Sequence, residues 1–382
     1  MNLYKIPVIN PDLFVFWLYF HGDDSKYQYG ERHFLEHLLL GSNSRYDKEG
    51  YRKEISRLGD DSLFSAATST EFITLSGTYL VEDAPRVIEL LNLMLNDASL
   101  TEEEIEIERE IILQEYQADI DDLIRQAFQT LGTLIGTDLM AIGSLDSIKS
   151  ISKKGLQSAY NGVINSASCD LYLHGGDENL ISLRSSGSKD IVPFKPEGNY
   201  HAVNGNMSSS MVMLMYDEAF STNSSLLASY LGATSGPLFT ELREKQQLCY
   251  MVSAMECFSG KLRCPYLTTY GITSKDPEIL VKGLHDNFLI EDRAIFDSML
   301  KGQQIGYAQA KTSVTGRLAM EKQAVQLGIT FEELGNWPTW EQFREYAYGV
   351  KDKGVHATMI VEKAKEATAS WKDGEAHLEV TC

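Results

Sequence analysis

The chain has 382 residues, of which 43% are hydrophobic and 23% are charged, a composition typical of a globular protein with a large core. Its formal net charge of −20 would repel nucleic acid and anionic membranes, so neither is expected as a partner. The same charge would attract cationic substrates. The alternative is that the acidic residues only make the surface soluble.

The cysteines and the apolar segments indicate in which cellular compartment the protein is expected. Five cysteines without a C-x-x-C pair argue against a disulfide framework and favour a reducing, cytoplasmic location. The apolar run at 13–20 is short and is followed by HGDD rather than by a small-residue cleavage site, so we expect a strand and not a signal peptide. No run approaches the roughly 18 apolar residues of a membrane span.

The first half of the chain predicts an alternation of strands and helices. After the strand at 13–20 come helices at 31–41 and 47–59, two strands within 62–80, and a helix from 84. That helix has an apolar face formed by Val87, Leu90, Leu91, Met94 and Leu95. Thr101, followed three residues later by Glu104, is a capping box that begins a long acidic helix. More helix and a strand at 168–176 follow.

The second half predicts a similar order of elements. Residues 184–200 are rich in Ser, Gly and Pro and lack periodicity, so a linker is predicted at 186–200. The predicted elements beyond it are a strand at 210–220, helical segments at 223–234 and 236–247, strands at 249–258 and 264–274, helices within 276–311, and a final helix and strand. Two such halves predict a duplicated α+β domain, with boundaries at 1–185 and 201–382.

The most informative motif is H-x-x-E-H, formed by His33, Glu36 and His37 within an apolar run. On a helix, the two histidines are one turn apart on the same face and can reach one metal ion. The order is the reverse of H-E-x-x-H, in which two histidines bind zinc and the glutamate acts as a base. A catalytic zinc site needs a third protein ligand and an open position for water. The alternative is a surface helix that carries these residues by chance.

The long acidic helix offers Glu108 and Glu115 for that third ligand. They are seven residues apart, two helical turns along one face. Glu115 interrupts the apolar series of Ile111, Ile112 and Tyr116, so we expect it to point inward. The alternative is that this helix simply presents a solvated acidic face.

With these residues the chain resembles the inverted zinc metallopeptidases, which include pitrilysin, insulin-degrading enzyme and the mitochondrial processing peptidase. Members carry H-x-x-E-H and, about 75–80 residues later, a glutamate that binds zinc, with a second glutamate seven residues before it. The resemblance implies His33, His37 and Glu115 as ligands of one Zn²⁺ per chain. It also implies Glu36 as the general base and Glu108 as a carboxylate that orients a histidine.

Two further segments resemble this family. The motif L-x-x-x-L-R-E-x-x-x-L-x-Y at 238–250 implies that Arg243 and Tyr250 bind the substrate backbone near the zinc. The alternative is a helix-to-strand turn with a surface arginine and a core tyrosine. The segment Ser65, Ala66, Ala67 and Thr68 corresponds to the family's Asn-Ala-x-Thr edge strand, to which substrate adds as an extra strand. Ser65 replaces the usual asparagine. The resemblance covers about 13–310.

The resemblance implies an α+β fold of two homologous domains, each a mostly antiparallel sheet covered by helices, and a zinc-dependent endopeptidase that cleaves peptides or unfolded segments. Because both motifs lie in one chain, we expect a homodimer with a closed chamber, in which Arg243 and Tyr250 act on the partner's zinc. An acidic chamber would favour basic peptides. The alternatives are a non-catalytic scaffold or peptide-binding relative, and the catalytic half of a heterodimeric processing peptidase.

Overall fold

The computed structural model of the chain describes residues 2–21, 27–59, 64–69, 72–120, 122–135, 140–164, 168–177, 181, 197–217, 221–257 and 266–364. Its strands are β1 (Asn2–Lys5), β2 (Leu13–His21), β3 (Phe64–Thr68), β4 (Phe72–Leu80), β5 (Cys169–His174), β6 (Gly198–Asn204), β7 (Ser210–Asp217), β8 (Met251–Cys257), β9 (Tyr266–Thr273) and β10 (Val355–Lys363).

The helices are α1 (Glu31–Leu39), α2 (Lys48–Ser56), α3 (Ala84–Asp97), α4 (Glu102–Ile120), α5 (Leu123–Ile135), α6 (Leu145–Ser150), α7 (Lys153–Val163), α8 (Thr222–Gly232), α9 (Pro277–Asp286), α10 (Arg293–Ala310), α11 (Val314–Leu327) and α12 (Trp340–Lys353). Two 3₁₀ turns, Val81–Asp83 and Glu333–Gly335, and a π-helix, Phe239–Lys245, complete the described elements.

Both sheets connect their five strands in the same order. The first sheet runs β1-β5-β2-β4-β3 and the second runs β6-β10-β7-β9-β8. In each sheet the first strand pairs in parallel with the last, and the other neighbours are antiparallel. The repeated topology confirms the predicted α+β fold of two similar, mostly antiparallel sheets with helices.

The first sheet is covered on both faces, which explains the unbroken apolar run of β2. One set of its side chains is fully buried in a core that also contains residues of α1, α3 and α7: Phe14, Phe16, Leu18 and Phe20. The alternate side chains Val15 and Tyr19 are buried in a second core with Val314 and Leu318 of α11. A strand buried on both faces needs no polar alternation.

The second sheet has the same two-sided arrangement. Val212, Leu214 and Tyr216 of β7 pack in a core with residues of α8, α9 and α12. The opposite face is rich in methionine and packs against Ala127 and Leu131 of α5. Helix α5 thus lies in the first half of the sequence but covers the second sheet.

Two compact units follow from these contacts. Unit 1 contains the described residues of 2–118, 140–181 and 308–326, and unit 2 those of 119–135, 197–307 and 327–364. The sequence predicted two contiguous halves, 1–185 and 201–382. The units differ from these halves, because α5 of the first half belongs to unit 2 and most of α11 of the second half belongs to unit 1. Residues 186–196 of the predicted linker lie outside the described residues, and β6 already begins at Gly198.

In the part of the chain that the structure describes, no helix is both long enough and apolar enough to cross a membrane.

Candidate metal centre

Helix α1 carries the H-x-x-E-H motif and is held in the core by the leucines around it. Leu35, Leu38 and Leu39 are at most 2% exposed and belong to the first core. Gly30 precedes the helix with φ +85°, and a Cβ there would lie 2.7 Å from the carbonyl oxygen of Ile142. The helix ends at Leu39, two residues before the predicted end. The apolar residues therefore fix the helix that presents the ionisable ones.

The two histidines and Glu115 converge on one point. The rings of His33 and His37 have centroids 4.8 Å apart. Oε2 of Glu115 lies 3.6 Å from Nε2 of His33 and 3.5 Å from Nε2 of His37. Glu115 on α4 therefore faces the histidines, and its side chain keeps 44% exposure.

This donor set fits zinc. Two ligands that are about 2.0–2.2 Å from a tetrahedral zinc lie roughly 3.3–3.6 Å from each other, and the separations involving Glu115 fall in that range. Two imidazoles and one carboxylate are a donor set of catalytic zinc sites, which leave a further position open. Glu36 belongs to the same cluster, since ligand atoms of His33, Glu36 and His37 lie within 4.8 Å of one another.

Glu108 connects the histidine pair to helix α2. Its Oε2 lies 3.1 Å from Nδ1 of His37, and its Oε1 accepts a hydrogen bond from Nζ of Lys48. Burial would raise the pKa of Glu108, but its hydrogen bonds to His37 and Lys48 outweigh this and lower it. As a carboxylate, Glu108 accepts a hydrogen bond from Nδ1–H of His37, so that Nε2 of His37 is left to face Glu115.

The two histidines differ in basicity. Burial, together with the nearby His37, lowers the pKa of His33 to about 4. Burial also opposes the charged form of His37, but its hydrogen bonds to Glu108 and Glu115 raise its pKa to about 9. His33 is thus neutral at neutral pH, the form in which imidazole binds a metal, and His37 must release a proton to do so.

Glu36 has the environment of a group that exchanges protons near neutral pH. Burial raises its pKa to about 7, and the negative charges of Glu115 and Glu108 act in the same direction. His37 and the hydroxyl of Thr68 act in the opposite direction. A general base works best with a pKa near the working pH.

The predicted substrate-binding segment forms β3, an edge strand of the first sheet. Among the described strands, β3 pairs only with β4. Ser65 and Ala67 are exposed, whereas Ala66 and Thr68, which point to the other face of the strand, are partly buried. The hydroxyl of Ser65 is 2.9 Å from that of Ser76 on β4. An unpaired edge of this kind can take up an extended peptide.

Arg243 and Tyr250 lie in unit 2. The segment predicted as helical at 236–247 contains a π-helix, Phe239–Lys245, which carries Arg243. Cζ of Arg243 is 4.8 Å from the ring centroid of Phe239 and 5.5 Å from that of Tyr250. Tyr250 is 77% exposed, so the alternative of a core tyrosine is wrong.

Sequence reasoning missed Lys48 and Phe239. Lys48 is 60 residues from Glu108, and no spacing rule connects them. Phe239 is four residues before Arg243, a separation at which helical neighbours meet, so this pair could have been anticipated.

Residues 21–130 match the model of the family described as insulinase (peptidase family M16). The matched segment contains the five residues of the candidate metal centre: His33, Glu36, His37, Glu108 and Glu115.

Individual relatives extend the likeness. A protein from Rickettsia felis described as an uncharacterized zinc protease is 23% identical over 356 residues, which cover 84% of this chain and 82% of that protein. The beta subunit of the human mitochondrial-processing peptidase is 32% identical over 133 residues, 33% of this chain and 26% of the subunit. The second match therefore spans only about a quarter of the relative.

Solved structures share the fold. A protease from Helicobacter pylori has a TM-score of 0.77 at 15% identity, covering 94% of this chain and 96% of its own. A domain from Pseudomonas fluorescens described as an inactive domain of peptidase M16 has a TM-score of 0.75 at 15% identity, covering 95% of both chains. A protein described as a protease and a domain described as inactive thus share this architecture, so the fold alone does not decide activity.

Proposed function

We propose that the chain is a zinc-dependent endopeptidase of the insulinase family of peptidases (family M16), whose model its residues 21–130 match. The observation that supports this most strongly is the convergence of Nε2 of His33, Nε2 of His37 and Oε2 of Glu115, with the buried Glu36 beside them. In this proposal the three converging residues hold one zinc ion per chain. Glu108 orients His37.

Bound zinc would supply a water of lowered pKa and polarise the scissile carbonyl. Glu36 takes a proton from this water and delivers it to the leaving amine. The exposed edge of β3 aligns the substrate through backbone hydrogen bonds. Arg243 and Tyr250 hold the substrate backbone and help to stabilise the negative charge that develops on the carbonyl oxygen.

The proposal includes a homodimer with a closed chamber, in which Arg243 and Tyr250 serve the zinc of the partner. It also includes a preference for basic peptides, which the net charge of −20 would attract. A cytoplasmic location completes it, and the free thiols of Cys169 and Cys249 are compatible with a reducing compartment.

Two other functions compete with this one. A non-catalytic role is suggested by the neighbour described as an inactive domain, but this chain has every residue of the proposed site. A role as one half of a heterodimer is suggested by the similarity to the beta subunit of a processing peptidase. Activity of the chain by itself would exclude both.

The direct test is metal analysis of the purified chain combined with a cleavage profile on a mixed peptide library. We expect about one zinc per chain and internal cleavage that stops on chelation and returns when zinc is added. A chain that binds zinc but cleaves only with a second, different subunit would support the heterodimer. A chain that binds peptides without cleaving them would support the non-catalytic role.

A further inference from the structure

The guanidinium group of Arg243 contacts two aromatic rings and forms no ion pair in the described part of the chain. Its contacts there are to the rings of Phe239, at 4.8 Å, and Tyr250, at 5.5 Å. No hydrogen bond or ion pair of Arg243 occurs among the residues described. An arginine with five N–H donors usually uses some of them within the protein, so this one is kept available for an external acceptor.

The two rings differ in how firmly they are held. Tyr250 is 77% exposed, so little restrains its side chain. Phe239 is partly buried and packs against the second core. Its flanking residues Leu238 and Leu242 are fully buried and anchor the π-helix. Phe239 is therefore the fixed surface on which Arg243 rests, and Tyr250 is the one able to move.

The backbone brings these side chains together from two segments. The N–H of Gln246 donates to the carbonyl of Glu241, the five-residue spacing of a π-helix. Gln247 then has φ +51°, which turns the chain, and the N–H of Tyr250 donates to Ile272 of β9. Phe239 and Arg243 share the π-helix, whereas Tyr250 is the residue just before β8. A change in Tyr250 would leave the contact of Phe239 with Arg243 in place.

We propose that Phe239 is a positioning residue, which holds the guanidinium of Arg243 ready for the backbone carbonyls of a bound peptide. This inference rests on the proposed function, in which Arg243 binds substrate. Phe239 contributes the surface under Arg243, and the N–H donors of Arg243 meet the peptide. When Tyr250 turns to the peptide, Phe239 still restrains Arg243 and limits the entropy lost on binding.

The test compares Phe239→Leu, which keeps an apolar side chain but removes the ring, with Phe239→Trp, which keeps an aromatic face. Phe331→Leu is the control, because Phe331 is buried in the same unit and stacks on Tyr307. The substrate is one fluorogenic peptide that the wild type cleaves. Binding of the same peptide is also measured in the Glu36→Gln background, where it does not depend on turnover.

We expect Phe239→Leu to raise KM, and the Kd of the Glu36→Gln form, by about threefold to fivefold, with little change in kcat. Phe239→Trp should restore both values, and Phe331→Leu should leave them unchanged. A purely structural role for Phe239 would instead lower thermal stability without this selective change in KM and its rescue by Trp.

Equal KM values for Phe239→Leu and the wild type would overturn this inference and leave the proposed function intact. A rise in KM that Phe331→Leu reproduces would overturn it as well. A wild type that neither cleaves nor binds peptides would overturn the proposed function and this inference together.

Discussion

At the scale of single residues, the candidate centre separates three carboxylates by their environments. Glu108 is paired with His37 and Lys48 and stays charged. Glu36 is buried and has a pKa of about 7. Glu115 keeps 44% exposure and faces both Nε2 atoms. Groups of one chemical type thus suit three roles: orienting a ligand, transferring a proton and binding a metal.

These roles predict an order of effects on metal binding. Glu108→Gln removes the charge that orients His37 and should weaken zinc affinity or activity about 10- to 100-fold. Glu115→Gln removes the proposed third ligand and should weaken zinc affinity more. Competition with a zinc-binding dye measures both.

Glu110→Gln is the matched control, because Glu110 is exposed on the same helix, α4. Its zinc affinity should equal that of the wild type. Unchanged affinity in Glu115→Gln would remove Glu115 from the set of ligands.

At the scale of elements, the position of α1 decides whether the histidines meet Glu115. The leucines of α1 pack in the first core and hold the helix in place. Gly30, with its positive φ, lets the backbone turn into the first residue of the helix. A side chain at Gly30 would meet the backbone of Ile142 and would need a strained positive φ. The start of α1 is therefore fixed by backbone contacts, which cannot yield as a flexible side chain could.

We expect Gly30→Ala to lower stability by about 1–3 kcal/mol and to weaken zinc binding, because α1 must shift to avoid the clash. Gly198→Ala separates strain from clash, since Gly198 has φ +91° but no atom within 4 Å of its would-be Cβ. It should cost less stability and leave zinc affinity unchanged. Thermal unfolding and dye competition provide the two readouts, and equal zinc affinities in the two variants would refute the role of Gly30.

The arrangement of residues within one helix could be predicted from the sequence, because it depends only on their spacing along the chain. The helical spacing of His33 and His37, and the two turns from Glu108 to Glu115, place each pair on one face of a helix. The ion pair of Lys48 with Glu108 depends on how α2 packs against α4, which no periodicity encodes. The π-helix was predicted only as helical because its apolar spacing does not differ visibly from that of an α-helix.

At the scale of the whole molecule, the duplicated order of elements predicted two similar sheets, and the structure confirms them. The division of the chain into units was harder to predict. Helices α5 and α11 each pack on the sheet whose strands come from the other half of the sequence. The apolar face of α5 shows that this helix is buried, but such a face does not identify the surface that covers it.

The proposed homodimer predicts that two inactive variants can rescue each other. Glu36→Gln lacks the base, and a chain with Arg243→Ala and Tyr250→Phe lacks the substrate-binding pair. If that pair acts on the partner's zinc, each mixed dimer regains about one working site. Peptide cleavage after mixing and re-equilibration measures this, with each variant alone as the control. Absence of rescue in verified mixed dimers would place each complete site within one chain.

The central claim, that this chain is a zinc peptidase with Glu36 as its base, is tested most directly by zinc content and peptide cleavage of Glu36→Gln beside the wild type. The substitution keeps the size of the side chain but removes its ability to take a proton. We predict unchanged zinc content and a loss of kcat of at least about 10²-fold, the usual contribution of a general base. Retained turnover in the zinc-loaded variant would contradict the account.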